Sequence, residues 1–208
     1  MNEIDLTRML NLDNTQIARG EKLAVELRKA DSVQSVVIRS NLSKFAPLRS
    51  NYVDAFDSCD EPKMRAVIRE QIRRLDTLTD ARLCSLFGRG DLDEGREYLD
   101  KLLKNGTHNA QHAGTEHEQD FMPVVKLFHP AVHSYWLLSE ISPFDHDRAF
   151  GLADIGQGCA ELGDVYLCEI QQIVVSHLGI ESSYFTPTMT LSEYARQAHE
   201  AGMILDKW

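Results

Sequence analysis

The chain is 208 residues long, 43% hydrophobic and 26% charged, which suits one ordinary domain or two small ones and excludes a disordered chain. No apolar run approaches the roughly 18 residues that a membrane span needs. The net charge of −10 is uneven: residues 1–120 hold 18 Lys+Arg against 21 Asp+Glu, and residues 121–208 hold 4 (Lys126, Arg148, Arg196 and Lys207) against 11.

Such a field repels nucleic acid and attracts basic partners, and the break in charge marks a domain boundary. The opening MNEIDLTRML is too weakly apolar for a signal peptide, so the expected location is cytoplasmic. Cys59, Cys84, Cys159 and Cys168 form no C-x-x-C pair. They read as buried structural thiols rather than disulfides or metal ligands.

Residues 1–106 read as a helical domain. Asp13 or Asn14 can cap a first helix, and the β-branched run Val33, Val36, Val37, Ile38 is too short to assign. Pro47 interrupts the next segment, after which Leu48, Tyr52, Val53 and Phe56 recur at helical spacing. From Glu61 to Asp76 a helix carries Met64, Val67, Ile68, Ile72 and Leu75 on one face, with Lys63, Arg65, Arg69, Arg73 and Arg74 on the other. That basic stripe suits nucleic acid or an acidic partner, but a solvated face among acidic neighbours explains it better. Asp91 and Glu94 form a capping box for a helix that Asn105-Gly106 should end.

Residues 107–120, THNAQHAGTEHEQD, lack large apolar side chains and read as a linker. His108, His112 and His117 could be zinc ligands, but nothing rigid surrounds them, and surface histidines are the expectation.

Residues 121–208 read as a small antiparallel-sheet domain with two helices. Alternation gives a strand at Val124–Phe128 and another at Ser134–Ile141, the latter with Tyr135, Leu137 and Ile141 on one face and Trp136, Leu138 and Glu140 on the other. SPFDHD is a polar loop, and Phe150, Leu152 and Asp154 then alternate with small residues. In GQGCAELGD, position 161 is Glu161 where a dinucleotide fingerprint needs glycine, so a loop is expected. A short strand at Asp164–Leu167, a helix at Cys168–Leu178 and a helix capped by Thr190 and Glu193 complete the domain. The fold class is α+β.

VKLFHP, WLLSE-x₅-D, AFGLADIG-x-GC-x-ELG-x-V-x-L-x-E and YFTPTMTLSEYA occur in order over about residues 122–205. Together they resemble the family called domain of unknown function 2958. The resemblance implies a small α+β domain found largely on bacterial plasmids, phages and integrated elements. It carries over no catalytic or binding residues.

Glu140, Asp145, His146, Asp147 and Asp154 are the residues an enzyme would use, for proton transfer or a metal, yet no nucleophile, metal or cofactor motif supports them. The expected function is therefore non-enzymatic: a mobile-element accessory protein that binds another macromolecule, in one version for anti-CRISPR or anti-restriction counter-defence. Glu140, Asp145, Asp147, Asp154, Glu161 and Asp164 would meet a basic protein surface, with no metal and no cofactor. A nucleic-acid-binding factor using residues 62–75 is the alternative, and a metal-assisted enzyme comes third.

Overall fold

The computed structural model describes residues 3–205; residues 1–2 of the opening segment and Lys207 lie outside the described residues. The first helix, α1 (Glu3–Glu26), does not start at Asp13 or Asn14. Asp13 lies buried within it and accepts a hydrogen bond from the Tyr52 hydroxyl at 2.9 Å. The unassigned β-branched run is helical, α2 (Ser32–Ser43), because Asp31 and Gln34 make a reciprocal capping box at its start. α3 (Ala46–Asp57) carries Pro47 in its first turn, where a missing N–H costs nothing.

α4 (Pro62–Phe87) runs well past Asp76 and serves two cores. Its Ile68, Leu75 and Leu78 pack with Ile17, Leu27, Leu42 and Tyr52. Its Leu83, Cys84, Leu86 and Phe87 pack against the sheet. α5 (Leu92–His112) starts at Asp91, whose carboxylate accepts from the N–H groups of Asp93 and Glu94 at 2.9 and 3.0 Å. Glu94 pairs with Arg89 instead of closing the box.

Five antiparallel strands follow: β1 (Val125–Phe128), β2 (Tyr135–Ile141), β3 (Arg148–Asp154), β4 (Ala160–Tyr166) and β5 (Glu181–Ser183), in the order β4-β3-β2-β1-β5. β4 starts inside the segment read as a loop, and the turn before it uses Gly156 and Gly158 at φ 77° and 82°. β5 had no alternating signal in the sequence. The helix expected at Cys168–Leu178 is a single turn, α6 (Leu167–Ile170). Beyond it Ser176 and His177 adopt left-handed φ, and Val175 bridges Leu178. α7 (Leu191–Ala201) is capped by Asp120, which accepts from the Ser192 N–H at 3.2 Å, and not by Thr190.

One sheet face, with Val125, Leu127, Trp136, Leu138, Ile141 and Ala149, closes on α4 and α5. The other meets α7 through Leu137, Leu152, Leu191, Tyr194 and Ala198. The fold is α+β, with helices first and the antiparallel sheet after them. Buried side chains from both sides of residues 107–120 share the first of these cores, and residues 107–112 belong to α5.

Two departures from simple alternation position the site. The β2–β3 register shifts between Leu138 and Glu140, a bulge that turns Ile141 into the core beside Leu138 and sets Glu140 on the α7 side, opposite Phe150. Asn105-Gly106 does not end α5. The buried Asn105 Nδ2 donates to the Ser139 carbonyl at 2.9 Å, and a Cβ on Gly106 would lie 1.9 Å from the Ile141 carbonyl oxygen. Glycine is there for contact between backbones. Among the described residues, no helix is long and apolar enough to cross a membrane.

Candidate partner-binding face

The loop Ser142–Asp147, which carries three residues of the enzyme-like constellation, is held by charges from the helices. Asp147 is buried and pairs with the equally buried Arg82 of α4, while its second oxygen accepts from the Cys168 N–H at 3.2 Å. His146 Nδ1 meets Asp80 of α4 at 2.7 Å, and that hydrogen bond raises the imidazole pKa against the opposing effect of burial. Arg49 of α3 donates to the Phe144 carbonyl at 2.7 Å and approaches Asp145 at 3.6 Å. Four polar contacts thus join the loop to α3 and α4. Asp147 is unavailable to a partner, because an unpaired buried charge would be left behind.

Asp154 is also internal. It is fully buried, and its oxygens accept from the N–H groups of Gly156 (2.9 Å) and Ile204 (2.8 Å) and meet His133 Nε2 at 3.0 Å. Burial opposes its ionisation, but these donors together outweigh burial and hold its carboxyl below the usual range. The arrangement ties the turn after β3 to the segment after α7.

The remaining acids gather elsewhere. Glu140, Asp164 and Glu118 line a groove with Asn109, Arg148, Phe144 and Phe150. Glu140 accepts from Asn109 Nδ2 at 2.9 Å, and burial raises its pKa, with Glu118 and Asp164 adding to the effect. Asp164 is exposed and 3.8 Å from Arg148; Glu161 is exposed too, but on the opposite face of β4. Beside these acids Phe144, Phe150, Leu162 and Tyr166 are 76%, 37%, 44% and 45% exposed. This is the part of the sheet that α7 leaves uncovered: a mixed apolar and acidic face.

The family described as "Protein of unknown function (DUF2958)" matches residues 95–205, more than half of the chain. The chain belongs to this family. No curated protein and no solved structure matches it. The DUF2958 region begins well before residue 122, because α5 is packed into the β2 bulge through Asn105 and Gly106 and is part of the same unit. It contains all six candidate acids, whereas Arg49, Asp80 and Arg82, which hold the loop, precede it.

On the basic stripe of α4, several cations already have contacts. Arg74 binds Glu21 and Asn14 at 2.8 and 2.7 Å, and Arg73 binds Glu70. Arg65 donates to the Cys59 carbonyl and lies over the Phe56 ring with Arg69. Lys63 and Arg69 are exposed. The histidines before the DUF2958 sheet form a stack at the end of α5: His108 and His112 rings are 4.4 Å apart, and each ring contacts a backbone carbonyl. Among the described residues no three His, Cys, Asp or Glu side chains converge as metal ligands. Burial pushes the Cys84 and Cys168 thiols up to about 11 and about 12, while Cys159 is exposed.

Sequence reasoning missed the apolar members of the face. Phe144, an aromatic within an otherwise polar loop, was the signal available; Phe150, Leu162 and Tyr166 look like ordinary strand residues until the sheet shows what covers them.

Proposed function

We propose that this protein is non-enzymatic and works by binding a protein with a basic surface, through the uncovered sheet face that carries Glu140 and Asp164, with Glu161 on the other side of the same edge strand. The observation that supports this reading most is the coincidence of these acids with exposed Phe144, Phe150, Leu162 and Tyr166. Aromatic and apolar contacts supply affinity, and charge supplies orientation and a fast encounter. Asp145, Asp147 and Asp154, by contrast, are engaged within the fold, which also weighs against a metal-assisted enzyme on those loops.

In its specific form the protein is a mobile-element accessory factor, and its partner surface is the basic nucleic-acid groove of a restriction or CRISPR effector. The acidic field of residues 121–208 suits such a groove. The alternative reading, nucleic-acid binding by residues 62–75, meets a net charge of −10 and arginines already paired.

Titration of the whole chain with random-sequence DNA and RNA oligonucleotides separates the two. The expected result is no binding near physiological salt. Sub-micromolar binding with a steep salt slope, lost on Lys63→Glu with Arg69→Glu, overturns the proposal and puts the basic helix first.

A further inference from the structure

The sheet ends differently on its two sides. β5 has three residues, whereas β4 has seven and contains neither Lys nor Pro, the residues that commonly blunt an open edge. The direction of its backbone groups follows from its neighbours. The Leu167 N–H donates to the Asp147 carbonyl at 2.8 Å, while the Arg148 carbonyl turns the other way to accept from Ser142 at 2.9 Å. Antiparallel pairing then alternates: Glu161, Gly163 and Val165 bond to β3, and Ala160, Leu162, Asp164 and Tyr166 turn their N–H and C=O groups outward. Among the described residues no backbone hydrogen bond reaches that outward side.

The side chains match this edge. Leu162, Asp164 and Tyr166 share the face of Phe150 and Glu140, and Glu161 lies on the opposite face. An added strand would therefore place an apolar residue beside Leu162, a cation beside Asp164 and an apolar residue beside Tyr166, at alternate positions. A second cation on its other face would meet Glu161.

We infer that the open edge of β4 takes an extended, basic segment of a partner protein as a sixth strand of the sheet, reading apolar-x-basic-x-apolar through Leu162, Asp164 and Tyr166. This rests on the binding reading above and specifies its geometry. Backbone hydrogen bonds give the affinity and the alternate side chains give the selection. Charge decides the occupant, since a second copy would bring the same acids and the same net charge of −10 to the edge.

The test uses the whole chain and a short peptide repeating Val-Thr-Lys-Thr, with a control of equal charge in which Pro replaces alternate Thr residues. Amide hydrogen exchange should slow at Leu162, Asp164 and Tyr166 when the peptide is added, but not when the control is added. Leu162→Pro, which removes an outward N–H that β3 does not use, should keep the fold and weaken peptide binding by at least about tenfold. Equal binding of peptide and control, abolished by Asp164→Lys, would overturn strand addition while leaving the acidic-face proposal standing. Binding of neither peptide, unchanged by Asp164→Lys, would count against both. Dimerisation of the chain alone through β4 would make a second copy the occupant and overturn the inference.

Discussion

Asp147 and Arg82 show why the most enzyme-like cluster in the sequence is part of the scaffold. Both are buried, and Gln171 Oε1 accepts from Arg82 as well. Removing one partner of such a pair strands the other in a medium that solvates it poorly. Asp147→Ala is expected to destabilise the fold by about 3–5 kcal/mol in chemical denaturation, and a paired Arg82→Met, Asp147→Leu variant should recover most of that loss. His146 gives a pH signature. Its pKa is raised in the folded state by Asp80, so its contribution is fully present below the ordinary histidine value of 6.5 and is lost as pH rises through the higher folded value. Thermal melts should fall with rising pH across that window by more in the native chain than in His146→Gln. Equal slopes would show that the contact with Asp80 carries no stability.

Among the elements, α5 and β2 decide the geometry of the candidate face. Alanine for glycine inside a helix ordinarily stabilises by up to about 1 kcal/mol, whereas forcing a methyl into a packed contact costs about 1–3 kcal/mol. At Gly106 the added Cβ would sit 1.9 Å from a backbone oxygen, so the clash wins and Gly106→Ala should lower the denaturation midpoint. A raised midpoint would mean that α5 does not rest on β2 as described. The same site explains what was legible in the sequence. Asn-Gly is a proper local signal for a helix end, and only the neighbouring strand gives it another use. Strands β1 to β3 were readable from alternation, but the bulge at Ser139 was not, because it arises from pairing with β3. That single slip moves Glu140 to the face where Phe150 and Asp164 lie. The run after α6 was misread for the opposite reason: Ile173, Val174 and Leu178 have helical spacing but are exposed on a tight turn.

On the scale of the molecule, α4 joins the helical core to the sheet core, and α5 closes the sheet. Residues 121–208 expressed alone would expose Trp136, Leu138 and Ile141, which α4 and α5 bury in the full chain. The fragment is expected to give no cooperative melt, and one that did melt cooperatively with dispersed amide signals would show that the sheet completes its own core. The net charge then acts through a scaffold whose internal contacts engage Asp145, Asp147 and Asp154, leaving Asp164 exposed on the uncovered face and Glu161 exposed on the other side of the same edge strand. The most direct measurement is the association of the whole chain, carrying Glu161→Lys and Asp164→Lys, with the partner captured by the native chain. Both positions are exposed, so the melt should be unchanged while association slows by about tenfold or more and loses its dependence on salt. Native association rates in that variant, with the fold intact, would contradict the assignment of this face to partner binding.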